Sequence, residues 1–498
     1  MRGEAMSEVL VDTNAGRLRG RPAGAVLTFQ GIEYSAPPVG RDRWRTPRPV
    51  EPWAGVRDAL RFGPSCPQPV QRPPDWARET DEQEDCLVLN VWTPSLGDGG
   101  KRPVMFWIHG GGYSIGSGSW PIYDGAALAT RGDVVVVTVN HRLGALGYLH
   151  LAEICGKEYA SSGNSGMLDL VAALEWVRDN IVAFGGDPAN VTIFGESGGG
   201  AKVSTLHVMP AARDLFHRAI VQSGPGLRLQ TQEAATEVAS RYLAELGIAC
   251  DPAALDALCA LPPARLVEAQ QAMSPGGMIG GFGPVQDGAT ALAHPSAAFA
   301  TGTATDVPLL IGRNKDEGTM MLAGDPALTS GADIAEDELR SGLAMLGDRL
   351  DAMLDGYKVA YPEATLTDLL IAIRTDSFMG IGTSRLAEQK LLGTTEPVYM
   401  YRFEWGSGPL RSAHGYEIPF VFDNAREPIM HESLRRTELA ERMSEAWIAF
   451  ARDGDPNHGG LPKWPAFSLD ERATMVFDAD VCAALRDPFE AVRGLWEH

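Results

Sequence analysis

A glycine-flanked serine in the middle of the chain is the residue best suited to chemistry. Ser197 stands in the string GESGG at residues 195–199, directly after a short β-prone stretch at residues 191–194. This layout is typical of a nucleophile elbow, a sharp strand-to-helix turn that exposes the serine oxygen above a parallel sheet. Glycines two residues to either side relieve the crowding of such a turn. The pattern predicts acyl transfer through Ser197, the chemistry of a serine-dependent acyl hydrolase.

The pattern G-x-S-x-G occurs a second time, as GYSIG at residues 112–116, but without this context. Ser114 is preceded by further glycines rather than by a strand, and SGSWP follows where a helix would be needed. The residues after Gly200, by contrast, are compatible with a helix whose N-terminal amides would face an oxyanion near Ser197. The context therefore favours Ser197 over Ser114. The alternative interpretation is a glycine turn without chemistry.

A serine nucleophile needs backbone donors for the oxyanion and a histidine base. A strand-like run at residues 104–108 leads into HGGGY at residues 109–113, the type of loop that offers N–H groups to a tetrahedral intermediate. The base is expected after the serine in the chain. Four histidines fit that order, namely His414, His431, His458 and His498. Position favours His414, which follows the apolar run at residues 398–403 by one loop.

An acid is also needed to orient the histidine. Asp316 and Glu317 both follow the apolar run at residues 307–311, where the carboxyl edge of a sheet would present them beside the serine. Their spacing does not separate the two, and an exposed carboxylate is more often a solvated charge.

The elements that must position these residues alternate between strands and helices. Apolar runs bounded by turn residues suit strands that are buried on both faces, and they occur at residues 104–108, 134–139, 191–194, 219–221, 307–311 and 398–403. A helix is clearest where Leu170, Leu174, Val177 and Ile181 form one stripe. The alternation predicts an α/β fold with a central, mostly parallel sheet flanked by helices. Residues 63–85 and 273–290 are predicted to be long functional loops.

The composition excludes several classes of protein. With 44% apolar and 21% charged residues, the 498-residue chain has an ordinary globular composition, and it contains no apolar run long enough to span a bilayer. A net charge of −21 argues against nucleic acid or anionic membrane as a partner. No signal peptide is visible, so we expect a cytoplasmic location. The six cysteines show no metal-binding spacing and are expected to be free thiols, and no zinc site is predicted.

The chain as a whole resembles the type-B carboxylesterase family, which includes bacterial para-nitrobenzyl esterases, animal carboxylesterases and cholinesterases. Motifs that carry this resemblance occur in family order: PPVG, EDCLVLNVW, HGGGY, VVVVTVNHRLGALGYL, GNSGMLDLVAALEWVRDNIVAFGGDPANVTIFGES, AIVQSG, LIGRNKDEG, AHGYEIPFVF and GDPN. So many ordered motifs exclude coincidence. The resemblance implies one α/β-hydrolase domain over residues 8–495, with large loop and helix insertions around a gorge-like site.

The resemblance also implies specific roles. The acid would be Glu317 and the base His414. The residues whose N–H groups would form the oxyanion hole are Gly111, Gly112 and Gly198. Three further residues would support the site, with Ser223 and Glu417 holding the acid and Glu196 flanking the nucleophile. Gly198 departs from the family, in which alanine is common at this position; the donor is preserved, although the start of the helix is loosened by about 1 kcal/mol.

The family has two recurrent disulfides, and the resemblance places them at Cys66–Cys86 and Cys250–Cys259, leaving Cys155 and Cys482 unpaired. These pairings conflict with a cytoplasmic location, and both possibilities remain open because neighbouring thiols can stay reduced in a cytoplasm. Trp76 resembles the position of a choline-binding tryptophan, but a packing or solvent-facing role is favoured.

The expected function is hydrolysis of carboxylic esters of small to medium neutral substrates through a Ser-His-Glu acyl-enzyme mechanism. No metal or organic cofactor is expected, and the expected partner is a small-molecule ester rather than nucleic acid or membrane, with the protein a monomer. Alternatives are amide, carbamate or lactone hydrolysis by the same residues, or a neuroligin-like binding protein. Phe282, Phe378 and Met379 lie in regions that resemble pocket walls, although core packing explains them equally well.

Overall fold

A sheet of thirteen strands forms the centre of the computed structural model. The structure describes residues 9–69, 81–273, 281–322, 333–406, 408–425 and 434–497. The strands are β1 Val9–Asp12, β2 Arg17–Ala23, β3 Val26–Glu33, β4 Val56–Asp58, β5 Val88–Thr93, β6 Arg102–Ile108, β7 Val135–Val139, β8 Gly186–Glu196, β9 Arg218–Gln222, β10 Leu309–Asn314, β11 Val398–Phe403, β12 Ala473–Phe477 and β13 Ala483–Arg486.

The strand order is β1-β2-β3-β5-β7-β6-β8-β9-β10-β11-β12-β13, and β4 pairs with β2. Strands β7 to β12 along this path pair in parallel. The flanking strands β1, β2, β3, β5 and β13 join in antiparallel fashion. The predicted α/β fold with a mostly parallel sheet is confirmed.

The sheet is covered by helices with the following bounds: α1 Ala126–Gly132, α2 Gly144–Tyr148, α3 Ala152–Cys155, α4 Ser165–Asn180, α5 Gly198–Leu206, α6 Gln232–Glu245, α7 Ala254–Ala260, α8 Pro263–Ala272, α9 Pro295–Thr301, α10 Glu336–Gly342, α11 Leu350–Ala360, α12 Leu366–Thr375, α13 Ile381–Leu392, α14 Ile418–Val421, α15 Leu434–Asp453 and α16 Glu490–Arg493. The crossovers between parallel strands account for most of them, because a parallel connection must return along the sheet.

Side chains of β6 alternate between two cores, one on each face of the sheet. Phe106 lies in the first core, which contains the predicted stripe of α4. Trp107 lies in the second core, together with Met443 and Trp447 of α15. Every residue of β6 is buried, as expected for a strand covered on both faces.

A third apolar cluster lies in the insertion between β10 and β11. It is formed by side chains from α10, α11 and α12, such as Leu339, Leu354 and Leu370, together with Trp496 near the end of the chain. This insertion begins directly after the predicted acid Glu317, so it adds helices beside the carboxyl edge of the sheet.

The two predicted loops contain neither helix nor strand at residues 63–69, 81–85 and 281–290, apart from isolated bridges. Their remaining parts, including Trp76, lie outside the described residues. Within the part of the chain that is described, no helix is both long enough and apolar enough to cross a bilayer.

All six cysteines are free thiols, so neither disulfide implied by the resemblance is formed in the structure. The thiols have other contacts instead. Cys66 Sγ accepts a hydrogen bond from the Leu143 amide at 3.2 Å, and contact with the Cys66 thiol, together with burial, raises the pKa of Cys86. Cys259 Sγ donates to the Gly40 carbonyl at 3.3 Å, and Cys250 Sγ lies 3.6 Å from a serine hydroxyl.

Candidate active site

Ser197 lies at the turn between β8 and α5. Its φ of 55° and ψ of −123° are strained values for a residue with a side chain, as a nucleophile elbow requires. The Ser197 amide donates to the Gln222 carbonyl at 2.8 Å, which ties the turn to the end of β9. A Cβ on Gly195 or on Gly199 would approach the Ile108 carbonyl to 2.6 or 2.0 Å, so both positions require glycine. Ser197 itself is half-buried and accessible.

Ser114, in the second matching string, is fully buried in a turn. Its amide donates to the Gly111 carbonyl at 3.3 Å. A serine enclosed in this way is not presented to substrate. The structure therefore agrees with the contextual argument against it.

The predicted oxyanion donors lie on two elements, the HGGGY loop and the start of α5. Ile108 at the end of β6 pairs with Gly195 of β8, which places the HGGGY loop beside the elbow. Gly111 and Gly112 have φ of +86° and +63°, values that favour glycine. Gly198 is the first residue of α5, so its N–H has no intrahelical acceptor.

The loop and the helix also touch each other. A Cβ on Gly198 would lie 2.1 Å from the Gly112 carbonyl oxygen. The family's common alanine therefore does not fit at this position while the loop stays in place. Glycine at 198 is a steric requirement of this arrangement rather than a loosening of the helix start alone.

Glu317 and His414 form a buried pair at the carboxyl edge of the sheet. Glu317 follows β10 and His414 lies in the loop after β11, and Glu317 Oε2 is 2.5 Å from His414 Nδ1. The tertiary structure thus separates the two acids that the sequence left open. Asp316 instead lies beside the Ser412 amide, at 3.4 Å, and burial raises its pKa.

The other oxygen of Glu317 is held by two donors. Ser223 Oγ donates to Glu317 Oε1 at 2.6 Å, and the backbone N–H of Asn314 donates to the same oxygen at 2.7 Å. Ser223 therefore contacts the acid as the resemblance implied. The sequence did not predict this contact of the Asn314 backbone N–H. Asn314 is the last residue of β10, and a backbone N–H at a strand end could have been considered as a partner for the acid.

Glu417 is fully buried but makes no hydrogen bond to Glu317. Its carboxylate accepts from Asn314 Nδ2 at 2.7 Å and from Gln222 Nε2 at 3.1 Å, and Asn314 links it to the acid through its backbone N–H. Burial, followed by the charge of Glu317, raises the pKa of Glu417 to about 7. That Glu417 helps to hold the acid stays a prediction.

His414 Nε2 faces Glu196 Oε1 at 3.1 Å. Among the contacts of the described residues there is no hydrogen bond between Ser197 Oγ and His414. Bonds between nucleophile and base often tighten only when substrate binds. The arrangement places the imidazole between two buried carboxylates, with Ser197 directly after one of them in the chain.

These carboxylates determine the charge of the imidazole. Burial by itself would lower the pKa of His414, but Glu196 and then Glu317 outweigh burial and raise it to about 9. Burial raises the pKa of Glu196 to about 8, against the opposing charge of His414. Each group's charge shifts the pKa of the other, so their ionisation is a property of the pair.

Of the other three candidate bases, only His458 lies within the described residues, and it has other partners. His458 contacts the Arg442 carbonyl at 3.0 Å and Glu445 at 3.0 Å, in a loop after α15. His431 and His498 lie outside the described residues.

The three predicted wall residues separate into two groups. Phe378 is half-buried, and its ring centroid lies 5.2 Å from that of His414. Met379 is buried beside it in the chain. Phe282 is fully buried and packs edge-on against Tyr242 at 5.3 Å, so it belongs to the core.

A model of the carboxylesterase family matches residues 7–492. The chain is 37% identical to the para-nitrobenzyl esterase of Bacillus subtilis (strain 168) over 500 residues, which cover 96% of each protein. It is also 37% identical to the phenmedipham hydrolase of Pseudarthrobacter oxydans over 514 residues, covering 96% of this chain and 97% of that protein. Among solved structures, a carboxylesterase of Geobacillus stearothermophilus at pH 6.2 aligns with a TM-score of 0.87 and 40% identity, covering 98% of this chain and 100% of the other.

Proposed function

This chain belongs to the carboxylesterase family and is a carboxylic ester hydrolase, and we propose that Ser197, His414 and Glu317 carry out its chemistry. The observation that carries the proposal is the buried 2.5 Å contact between Glu317 and His414, whose other ring nitrogen lies 3.1 Å from Glu196, the residue before the strained and accessible Ser197. A histidine oriented by an acid in this way can act as general base.

In the first half of the reaction, Ser197 Oγ attacks the ester carbonyl carbon while His414 Nε2 takes the hydroxyl proton. The carbonyl π bond opens, and the resulting oxyanion accepts hydrogen bonds from the N–H groups of Gly111, Gly112 and Gly198. Glu317 stabilises the imidazolium. The tetrahedral intermediate then collapses as the alcohol oxygen leaves with the proton from His414, and the acyl group remains on Ser197.

In the second half, water replaces the alcohol. His414 takes a proton from the water as its oxygen attacks the acyl carbon, and the same donors hold the second oxyanion. Collapse breaks the bond to Ser197 Oγ, returns the proton to that oxygen and releases the carboxylic acid. The free enzyme is regenerated.

We propose small to medium neutral esters as substrates. The net charge of −21 disfavours anionic esters at a distance, and the half-buried ring of Phe378 offers an apolar surface beside His414. The sequence predicts a monomer that binds neither nucleic acid nor membrane, and these points stay predictions. The assignment of one catalytic domain to residues 8–495 also stays a prediction. A single sheet with strands from Val9 to Arg486 supports the last of these. A cytoplasmic location also stays a prediction.

The proposal is tested with p-nitrophenyl esters from acetate to dodecanoate. Ser197→Ala is expected to lower kcat by about 10⁴-fold or more, because no other group on the elbow can form the acyl-enzyme. Ser114→Ala is the matched control, since it removes a buried serine hydroxyl from the same type of string and should leave kcat/KM nearly unchanged. Full activity in Ser197→Ala, or loss of activity only in Ser114→Ala, would refute the assignment. The preferred chain length would measure the acyl pocket.

A further inference from the structure

A lysine is buried on the helix that follows the nucleophile. Lys202 lies on α5, four residues after Gly198 and therefore on the same face of the helix. Helical side chains lean toward the N-terminus, so its ammonium group reaches back toward Ser197. Lys202 is fully buried, although a lysine is rarely enclosed unless its charge has partners.

The partners of Lys202 are backbone oxygens of the HGGGY loop. Nζ donates to the Gly112 carbonyl at 2.8 Å and to the His109 carbonyl at 3.3 Å. It also lies 5.3 Å from the ring centroid of Tyr113, the next residue in the loop. The ammonium thus holds both ends of the segment that contains Gly110 and Gly111.

We propose that Lys202 is a positioning residue that fastens the oxyanion loop to the helix carrying Ser197 and Gly198. This inference rests on the proposed function, because it concerns the donors assigned there. One group of donors lies on the loop and another on the helix. A tie between the two elements keeps their N–H groups directed at one point.

Several contacts hold the loop: the Ser114 and Ile115 amides donate to the Gly111 carbonyl at 3.3 and 3.2 Å, and His109 Nδ1 lies 2.9 Å from the Gly110 carbonyl. Lys202 adds a tie from this loop to α5. Gly110, Gly111 and Gly112 carry no side chains that could anchor it, and glycine has the greatest backbone freedom. Because residue 198 has no Cβ, the Gly112 carbonyl oxygen can lie where an added Cβ would come within 2.1 Å of it, and Lys202 Nζ donates to that same oxygen. The missing side chain permits the close approach of loop and helix, and the lysine holds it.

The geometry suits a lysine in either protonation state. Burial lowers the pKa of Lys202 to about 7, and the nearby Glu196 opposes this effect. Both the ammonium and the neutral amine have at least two N–H donors, so both carbonyls can be held throughout the working pH range. The positive form also adds favourable potential near the developing oxyanion.

The test compares Lys202→Met with Lys202→Gln. Met has a similar length and no donor, whereas Gln keeps donors without the charge. Misplacing oxyanion donors weakens binding of the transition state but not of the substrate. We therefore expect Lys202→Met to lower kcat about 10- to 100-fold with KM within about 2-fold. Lys202→Gln should recover part of this loss.

A trifluoromethyl ketone separates positioning from general damage. The ketone carbon bonds to Ser197 Oγ and its oxygen becomes an oxyanion in the same hole, so its Ki should rise by the same factor as kcat/KM falls. Lys390→Met is the matched control, because Lys390 is also buried but pairs with Asp306 at 2.7 Å, away from the loop. That variant should lose thermal stability while keeping the native Ki.

The inference is wrong if folded Lys202→Met and Lys202→Gln both retain the native kcat and Ki. It is also wrong if Lys202→Met changes KM alone, or if Lys390→Met raises Ki equally. Ser197→Ala distinguishes this result from failure of the proposed function. An inactive Ser197→Ala with a native-like Lys202→Met would overturn only the role of the lysine, whereas an active Ser197→Ala would overturn the proposed mechanism.

Discussion

Replacing Glu196 with glutamine should move the pH dependence of the reaction to lower pH. The Glu196 carboxylate lies 3.1 Å from His414 Nε2, the nitrogen that must be unprotonated to act as base. A carboxylate at this distance favours the imidazolium form. Glutamine keeps the shape of the side chain and removes its charge, so the substitution isolates the electrostatic effect.

The distance sets an upper limit on the shift. Two unit charges 3.1 Å apart interact by about 5 kcal/mol at an effective dielectric constant of about 20, equivalent to about 4 pH units. The full effect is not reached, because burial raises the pKa of Glu196 to about 8 and the carboxyl is therefore partly protonated over the working range. Glu317 also stays in place. We expect the acid limb of kcat/KM to move down by about 1 to 2 pH units.

The measurement is kcat/KM for p-nitrophenyl butyrate between pH 5 and 9.5 in buffers of constant ionic strength. The native enzyme should lose activity as the pH falls through the raised pKa of His414, and Glu196→Gln should keep its activity to lower pH. Glu445→Gln is the control, since Glu445 lies 3.0 Å from His458 in a pair remote from the site. An unchanged acid limb in Glu196→Gln, or an equal shift in Glu445→Gln, would refute the reasoning.

Three further predictions concern the acid, the oxyanion loop and a buried ion pair. Glu317→Gln should lower kcat/KM by about 10²-fold or more in the same assay, whereas Asp316→Asn should change it by less than about 3-fold; similar losses in both would contradict the assignment of the acid. Gly198→Ala should lower kcat/KM about 10²-fold with a smaller change in melting temperature, because its methyl group would displace the Gly112 carbonyl; native activity would show that the loop moves freely. Arg142 and Asp169 form a buried ion pair at 2.6 Å. Arg142→Met should lower the free energy of unfolding by about 3 to 5 kcal/mol in urea titration, because it leaves the buried Asp169 carboxylate without its ion-pair partner; a loss below about 1 kcal/mol would contradict this.

Local features of the fold could be predicted from the amino-acid sequence. The apolar runs identified the central strands, and their lengths separated them from the amphipathic helices. The elbow at Ser197 was also recognisable, because the requirement for glycine on both sides arises within a few residues. Such features depend on neighbours in the chain, and their physical cause is therefore contained in short segments.

Contacts between segments that are distant in the chain were harder to predict from the sequence. Asp316 and Glu317 are adjacent and chemically alike. The way the loop after β11 packs beside them places His414 against Glu317, and this packing cannot be inferred from the two acids' positions in the sequence. Phe282 and Phe378 were equivalent candidates for the pocket wall, yet one packs in the core and the other beside His414. Lys202 gave no signal in the sequence, because its partners are backbone oxygens that any residue type could supply.

By itself, then, the sequence determined the class of fold, the position of the serine elbow and the set of groups from which an acid and a base could come. The tertiary structure decided which acid meets the histidine, which carboxylate faces its other nitrogen, and why residue 198 must be glycine beside the loop that Lys202 holds. The physical reason is that strand and turn preferences are local, whereas ionisation and close contact depend on atoms brought within a few ångströms by the order of strands in the sheet.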